Sequence, residues 1–131
     1  MTERRRPRWL ALVTLLTGVV AFIWLLSEEN SLLSVLSLGC MVSALSLLHA
    51  HYAYALWTRL GCTLRAALIG GAISSGTIGA AACLMFLKTV IHAHIVPDYS
   101  IEQQLGMLMR LPTWTAAGIL LGTAFSLVRC R

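Results

Sequence analysis

The segment that decides the fold runs from Ala66 to His94 and reads AALIGGAISSGTIGAAACLMFLKTVIHAH. The stretch from Ala66 to Leu87 has no charged residue. At about 1.5 Å per residue, it is long enough to cross a hydrocarbon layer of about 30 Å. Small residues recur at every fourth position in this segment: Gly71, Ser75, Gly79 and Cys83. In lipid, such rows let two helix backbones approach closely. We therefore expect this segment to be the buried central helix of a membrane bundle.

The composition is typical of a membrane protein. The chain has 131 residues, of which 58% are hydrophobic and 11% charged, and its mean hydropathy is +0.80. A soluble domain of this size needs more charge on its surface. No hydrophilic block is long enough to form a second domain, so residues 1–131 are expected to form a single membrane domain.

The hydropathy pattern predicts an all-α integral membrane protein with four transmembrane helices in a small bundle. The predicted spans cover about residues 9–26, 32–57, 66–94 and 113–128. Pro97 ends the third span because proline cannot continue a helix. Ser100 and Gln103 have the spacing of a capping box, which predicts a short amphipathic helix at about residues 100–111. This helix is expected to lie at the membrane interface between spans 3 and 4.

The arginines predict the orientation of the bundle. With four spans, one side receives eight of them: Arg4, Arg5, Arg6, Arg8, Arg59, Arg65, Arg129 and Arg131. The other side receives only Lys88 and Arg110. The positive-inside rule then places both termini in the cytoplasm of a bacterium, or in the stroma if the membrane is a thylakoid. Arginines at helix ends set orientation, so the net charge of +5 does not predict a nucleic-acid partner.

The small residues also predict a helix pair. The last span carries Gly118 and Gly122, four residues apart. We expect them to pack against Gly71, Ser75 and Gly79 of the central helix, because small residues on both sides permit close contact.

The four histidines form two His-Ala-His segments, His49 with His51 and His92 with His94. Residues i and i+2 of a helix point about 200° apart, so neither pair can chelate one ion while it is helical. The topology places the two pairs near opposite membrane surfaces. Four histidines on one metal are therefore excluded within a monomer.

The outer pair has the richer surroundings. Lys88 lies one helical turn before His92, and Asp98 follows His94 closely. These four residues, Lys88, His92, His94 and Asp98, are the candidate binding site for a metal, a quinone headgroup, or a haem or chlorophyll held by a single axial histidine. The alternative is that the histidines are interfacial and that the lysine snorkels to the surface. The sequence does not identify a metal or cofactor.

The cysteines show neither a CxxC pair nor the spacing of a disulfide framework. Cys40 and Cys83 fall inside apolar helices and are expected to behave as small hydrophobic residues. Cys62 and Cys130 lie near arginines. We expect both to be unreactive thiols on the reducing side of the membrane.

The sequence predicts no catalytic residue and no enzymatic activity. No carboxylate lies inside a span, and no phosphate-binding loop, Ser/His/Asp set or HExxH helix occurs. We expect an accessory subunit of a larger membrane complex of the respiratory or photosynthetic type, packing through its Gly- and Ser-rich helices. Its partners would be the lipid bilayer and other subunits or further copies of itself. Two alternatives stay open: a small oligomeric transporter or channel, and a membrane-embedded haem-, chlorophyll- or metal-binding protein that uses the outer histidine cluster.

Overall fold

The computed structural model describes residues 7–27, 30–54, 60–92 and 98–129. Every regular element in these ranges is an α-helix: α1 (Arg8–Leu26), α2 (Leu32–Tyr54), α3 (Cys62–His92), α4 (Ile101–Met109) and α5 (Leu111–Arg129). Four helical stretches are long and apolar enough to cross a membrane, namely α1, α2, α3, and α4 together with α5. The predicted all-α class and the four apolar helices of spanning length are therefore confirmed.

The central helix begins earlier than its apolar segment. α3 starts at Cys62, and its first turn includes Arg65, whose N–H donates to the Gly61 carbonyl at 2.9 Å. The predicted span starts at residue 66 because hydropathy measures only the part that lipid can cover. A helix continues beyond that part wherever no residue breaks it. Residues 55–57 and 93–94, at the ends of two predicted spans, lie outside the described residues.

The connection between α4 and α5 is a single residue, Arg110, which itself has right-handed helical φ and ψ. α5 begins at Leu111, so Pro112 lies in its first turn and not before it. Proline is tolerated there because the first N–H groups of a helix have no intrahelical acceptor. The N–H of Trp114 donates to the Arg110 carbonyl at 3.0 Å, which keeps the two helices nearly continuous.

α3 is the centre of the bundle and contacts each of the other four helices, most extensively α5 and α2. Its contact with α5 is made by backbone atoms. A Cβ atom added at Gly70 would lie 2.2 Å from the Gly118 carbonyl oxygen, and one added at Gly122 would lie 2.2 Å from that of Ala66. One added at Gly118 would lie 2.3 Å from Ser74 Oγ. The row Ala66, Gly70 and Ser74 therefore faces α5, and the two helices run antiparallel.

This row is displaced by one residue from the predicted one. Gly71 contacts α5 through a side chain and not through the backbone: an added Cβ would meet the Ile119 side chain at 2.8 Å. A Cβ added at Gly79 meets no described atom of a neighbouring helix within 4 Å, and Cys83 is exposed. The reason is helical geometry, because one residue rotates the side chain by about 100°. Adjacent rows of small residues consequently face different neighbours.

α2 packs against α3 through a second close contact. A Cβ at Gly39 would lie 2.6 Å from the Thr77 carbonyl oxygen, and one at Gly76 would lie 2.2 Å from Ser43 Oγ. The Ser43 hydroxyl donates to the Ile73 carbonyl at 3.1 Å. Ser43 of α2 is thus used in packing against α3.

The largest cluster of buried apolar residues lies at the C-terminal end of α3. Its members are Trp24, Val35, Leu38, Ile78, Ala81, Ala82, Leu84, Met85, Tyr99 and Met107. Two of them, Trp24 and Tyr99, are aromatic and only 6% and 2% exposed. The core therefore closes the same end of the bundle at which the sequence places the candidate site.

Candidate functional site

Polar side chains from three parts of the chain meet at this end of the bundle. Lys88 and His92 lie one turn apart on the last part of α3, Asp98 precedes α4, and Asn30 precedes α2. They come together because consecutive helices alternate in direction, which brings the end of α3 beside the start of α2. We call these four residues the polar end cluster.

The centre of the polar end cluster is a hydrogen bond between His92 and Asp98. His92 Nδ1 donates to Asp98 Oδ2, and the two side chains are only 15% and 13% exposed. The other carboxylate oxygen, Oδ1, accepts from Asn30 Nδ2 at 3.5 Å, the long limit of a hydrogen bond. Asp98 therefore links the end of α3 to the segment that leads into α2.

Lys88 is completely buried and connects α3 to α1. Its Nζ donates to the Trp24 carbonyl oxygen at 3.4 Å and lies 4.2 Å from the centroid of the Trp24 ring. That carbonyl belongs to the last turn of α1, which has no basic residue of its own and carries the negative end of the helix dipole. The aromatic face also attracts a cation at this distance. The alternative in which Lys88 snorkels to the surface is wrong, because the side chain is buried and turns inward onto α1.

The segment around Asp98 is fixed by the cap of α4. The Ser100 hydroxyl accepts from the Gln103 N–H at 3.2 Å, and Gln103 Oε1 accepts from the Ser100 N–H at 3.0 Å. The predicted capping box is thus confirmed. Gln104 Nε2 also donates to the Tyr99 carbonyl at 3.1 Å. These bonds hold the two residues that follow Asp98 in one conformation.

Of the four predicted site residues, the structure brings His92 and Asp98 into contact, whereas Lys88, one turn earlier on α3, contacts Trp24 of α1. The fourth, His94, lies outside the described residues. Trp24 and Asn30 also belong to this site, and the sequence does not predict them. Each is more than sixty residues away from the residue it contacts, and neither contact leaves a local pattern.

The other histidine pair lies at the opposite end of the bundle. His49 Nδ1 donates to the Leu45 carbonyl of its own helix at 2.9 Å. The His51 ring meets Tyr52 edge to face, with the centroids 5.9 Å apart. α2 begins beside Asn30 and reaches His49 after about 25 Å of helix. The two pairs therefore contribute to separate ends of the bundle.

The chemistry open to the polar end cluster follows from its donors. Within the described ranges, no group of three or more His, Cys, Asp or Glu residues could hold a metal ion. The His92–Asp98 hydrogen bond can hold the end of α3 to the segment that leads into α4. A carboxylate on Nδ1 is also what orients an imidazole whose other nitrogen serves as a single ligand to a metal.

Cys62, the first residue of α3, is disulfide-bonded, whereas Cys40 and Cys83 are free. The expectation of an unreactive free thiol is therefore wrong for Cys62, and Cys130 lies outside the described residues. Disulfides persist in oxidising compartments and are rare in the cytosol. This bond and the distribution of arginines thus favour opposite orientations of the chain.

A comparison with known protein families, with curated proteins and with solved structures finds no match for this chain. Its function has to be inferred from its own contacts.

Proposed function

We propose that this chain is a small integral membrane subunit that packs against helices of other subunits or of further copies of itself. The proposal rests on the observation that α3 carries two rows of small residues and that α5 covers only one of them. One row, Ala66, Gly70 and Ser74, is covered by α5. The other row, Ser75, Gly79 and Cys83, we call the open row. Gly79 meets no described neighbour and Cys83 is exposed.

The physical argument concerns how helices associate in lipid. Lipid tails are as apolar as leucine, so hydrophobic burial gives little drive for two helices to meet. Close van der Waals contact between backbones replaces it, and small residues are what permits that contact. The covered row demonstrates this geometry within the chain. The open row offers the same kind of surface to a helix from outside.

The proposal includes a location and an orientation. The four apolar helices of spanning length support a bilayer location, in a bacterial inner membrane or a thylakoid. The eight arginines on one side support cytoplasmic or stromal termini, and we give them more weight than the single disulfide at Cys62, which favours the opposite orientation. Ile101, Leu105 and Leu108 give α4 an exposed apolar face for lipid, but an interfacial position for this helix would require a bend at Arg110, whose backbone is helical in the structure. In this arrangement the polar end cluster holds α1 and α4 onto α3.

The test compares leucine at two glycines where an added Cβ would meet no described atom within 4 Å. Gly79→Leu fills the open row, whereas Gly18→Leu fills a site on α1 that also has no described atom within 4 Å. After extraction from native membranes in a mild detergent, the wild type and Gly18→Leu should migrate as one assembly. Gly79→Leu should migrate as a free chain with an unchanged thermal midpoint. A wild type that is already monomeric, or a Gly79→Leu variant that stays in the assembly, would contradict the proposal.

A second candidate function is binding of a haem or chlorophyll through His92. The Asp98 carboxylate on His92 Nδ1 favours it, because such a partner fixes the orientation of a ligating imidazole. Protein purified from native membranes should then show a tetrapyrrole absorbance band that is lost in His92→Ala and kept in His49→Ala. A colourless wild-type protein would rule this candidate out.

A further inference from the structure

A wide groove lies between α3 and α5, towards the N-terminal end of α3. Its volume is about 730 Å³, within the range of ligand sites in proteins. Its lining consists of Ala66, Ile69, Gly70, Leu121, Gly122, Ala124, Phe125 and Val128. Every one of these residues is apolar. The small ones let the two backbones touch and so form the floor, while the larger side chains of α5 form a wall.

Two arginines stand at the mouth of this groove. Arg65 directly precedes Ala66 of the lining, and Arg129 directly follows Val128; both side chains are exposed. The guanidinium carbon of Arg129 lies 5.8 Å from the centroid of the Phe125 ring, a cation–π distance that keeps the charge beside the groove wall. α3 and α5 are antiparallel, so the start of one and the end of the other lie at the same end of the bundle.

Among the described residues, no acidic side chain lies at this end of the bundle. In the part of the chain that the structure describes, the acidic residues are Asp98 and Glu102. Both belong to the opposite end of the bundle, where Asp98 contacts His92. Most of the length of α3, about 40 Å, separates that end from Arg65. The groove therefore combines an apolar interior with a mouth at which the described charged residues are all positive.

We propose that this groove binds an anionic phospholipid, with an acyl chain along the apolar lining and the phosphate at Arg129 and Arg65. Arginine binds phosphate oxygens through paired N–H groups. In a choline phospholipid, the positive headgroup would largely neutralise the charge of that phosphate. A purely apolar partner helix would instead leave both guanidinium groups without a counter-charge. The groove is on a different face of α3 from the open row. Lipid binding at the groove can consequently be tested separately from helix packing at the open row.

The effect of the charges can be estimated. A basic residue at the membrane surface strengthens attraction to anionic lipid by about fivefold. The full chain, purified in a neutral detergent, would be titrated with phosphatidylglycerol and with phosphatidylcholine of the same acyl chains. Lipid retained on the protein would be counted by native mass spectrometry. We expect tighter binding of phosphatidylglycerol to the wild type and about fivefold weaker binding to Arg129→Gln.

Arg110→Gln is the matched control, because Arg110 is also exposed and lies at the other end of α5. It should bind phosphatidylglycerol like the wild type. A second variant, Ala124→Leu, fills the groove from an exposed position and should weaken binding of both lipids without lowering the thermal midpoint. Equal affinity for the two lipids, or equal effects of the two arginine variants, would overturn the proposal. So would an Ala124→Leu variant that dissociates an oligomer and binds lipid unchanged.

Discussion

The close contact between α3 and α5 makes Gly122→Ala a sharp test of the packing. A Cβ at residue 122 would lie 2.2 Å from the Ala66 carbonyl oxygen and 2.8 Å from the Ala66 carbonyl carbon. The first distance is about 1.2 Å short of the 3.4 Å at which ordinary contact begins. Both neighbouring atoms belong to the backbone and cannot rotate away. α5 must therefore move away from α3, which also loosens the contact between Gly70 and Gly118.

Gly79→Ala is the control that isolates this effect. Residue 79 has no described neighbour within 4 Å, so its new methyl group meets no other helix of the chain. Both variants gain the higher helix propensity of alanine, about 0.8–1.0 kcal/mol in an exposed helix interior. That gain cancels in the comparison. The remaining difference is the overpacking energy, about 1–3 kcal/mol, so Gly122→Ala should be the less stable variant by this amount.

The measurement is reversible unfolding of both variants in mixed micelles, followed by helix content or by tryptophan fluorescence. We expect Gly79→Ala to unfold at the same or a higher denaturant fraction than the wild type and Gly122→Ala at a lower one. Equal shifts in the same direction would show that α3 and α5 do not meet at residue 122. The arrangement of the two rows on α3 would then be refuted as well.

Three further predictions concern the ends of the bundle. His92→Ala should lower the free energy of unfolding by about 1–3 kcal/mol, because it removes the partner of a largely buried carboxylate; His49→Ala breaks only a bond within its own helix, and an equal loss would contradict this. Trp24→Leu should destabilise by about 2 kcal/mol, because the buried lysine of α3 loses an aromatic face; an unchanged unfolding midpoint would exclude this contact. Cys62 should resist alkylation until the protein is reduced, and afterwards an impermeant reagent should reach it only in inverted vesicles. Labelling of reduced Cys62 in intact cells would reverse the proposed orientation.

Local features of the sequence determine the number and kind of the helices. An apolar run of spanning length forms a helix wherever it is not interrupted, since lipid leaves the backbone no other hydrogen-bond partners. The cap at Ser100 and Gln103 is equally local, because both residues belong to one turn. These features depend on neighbours in the chain, and the sequence alone was sufficient to predict them.

The rotation of each helix about its axis was decided by tertiary packing. The sequence shows two adjacent rows of small residues on α3, and only the structure shows that α5 covers the one containing Gly70. The inward turn of Lys88 onto Trp24 likewise depends on a residue 64 positions away. The same is true of the link from Asp98 to Asn30, which are 68 positions apart. Such contacts depend on how whole helices pack, because a rotation of about 100° exchanges one row for the next without changing any local preference.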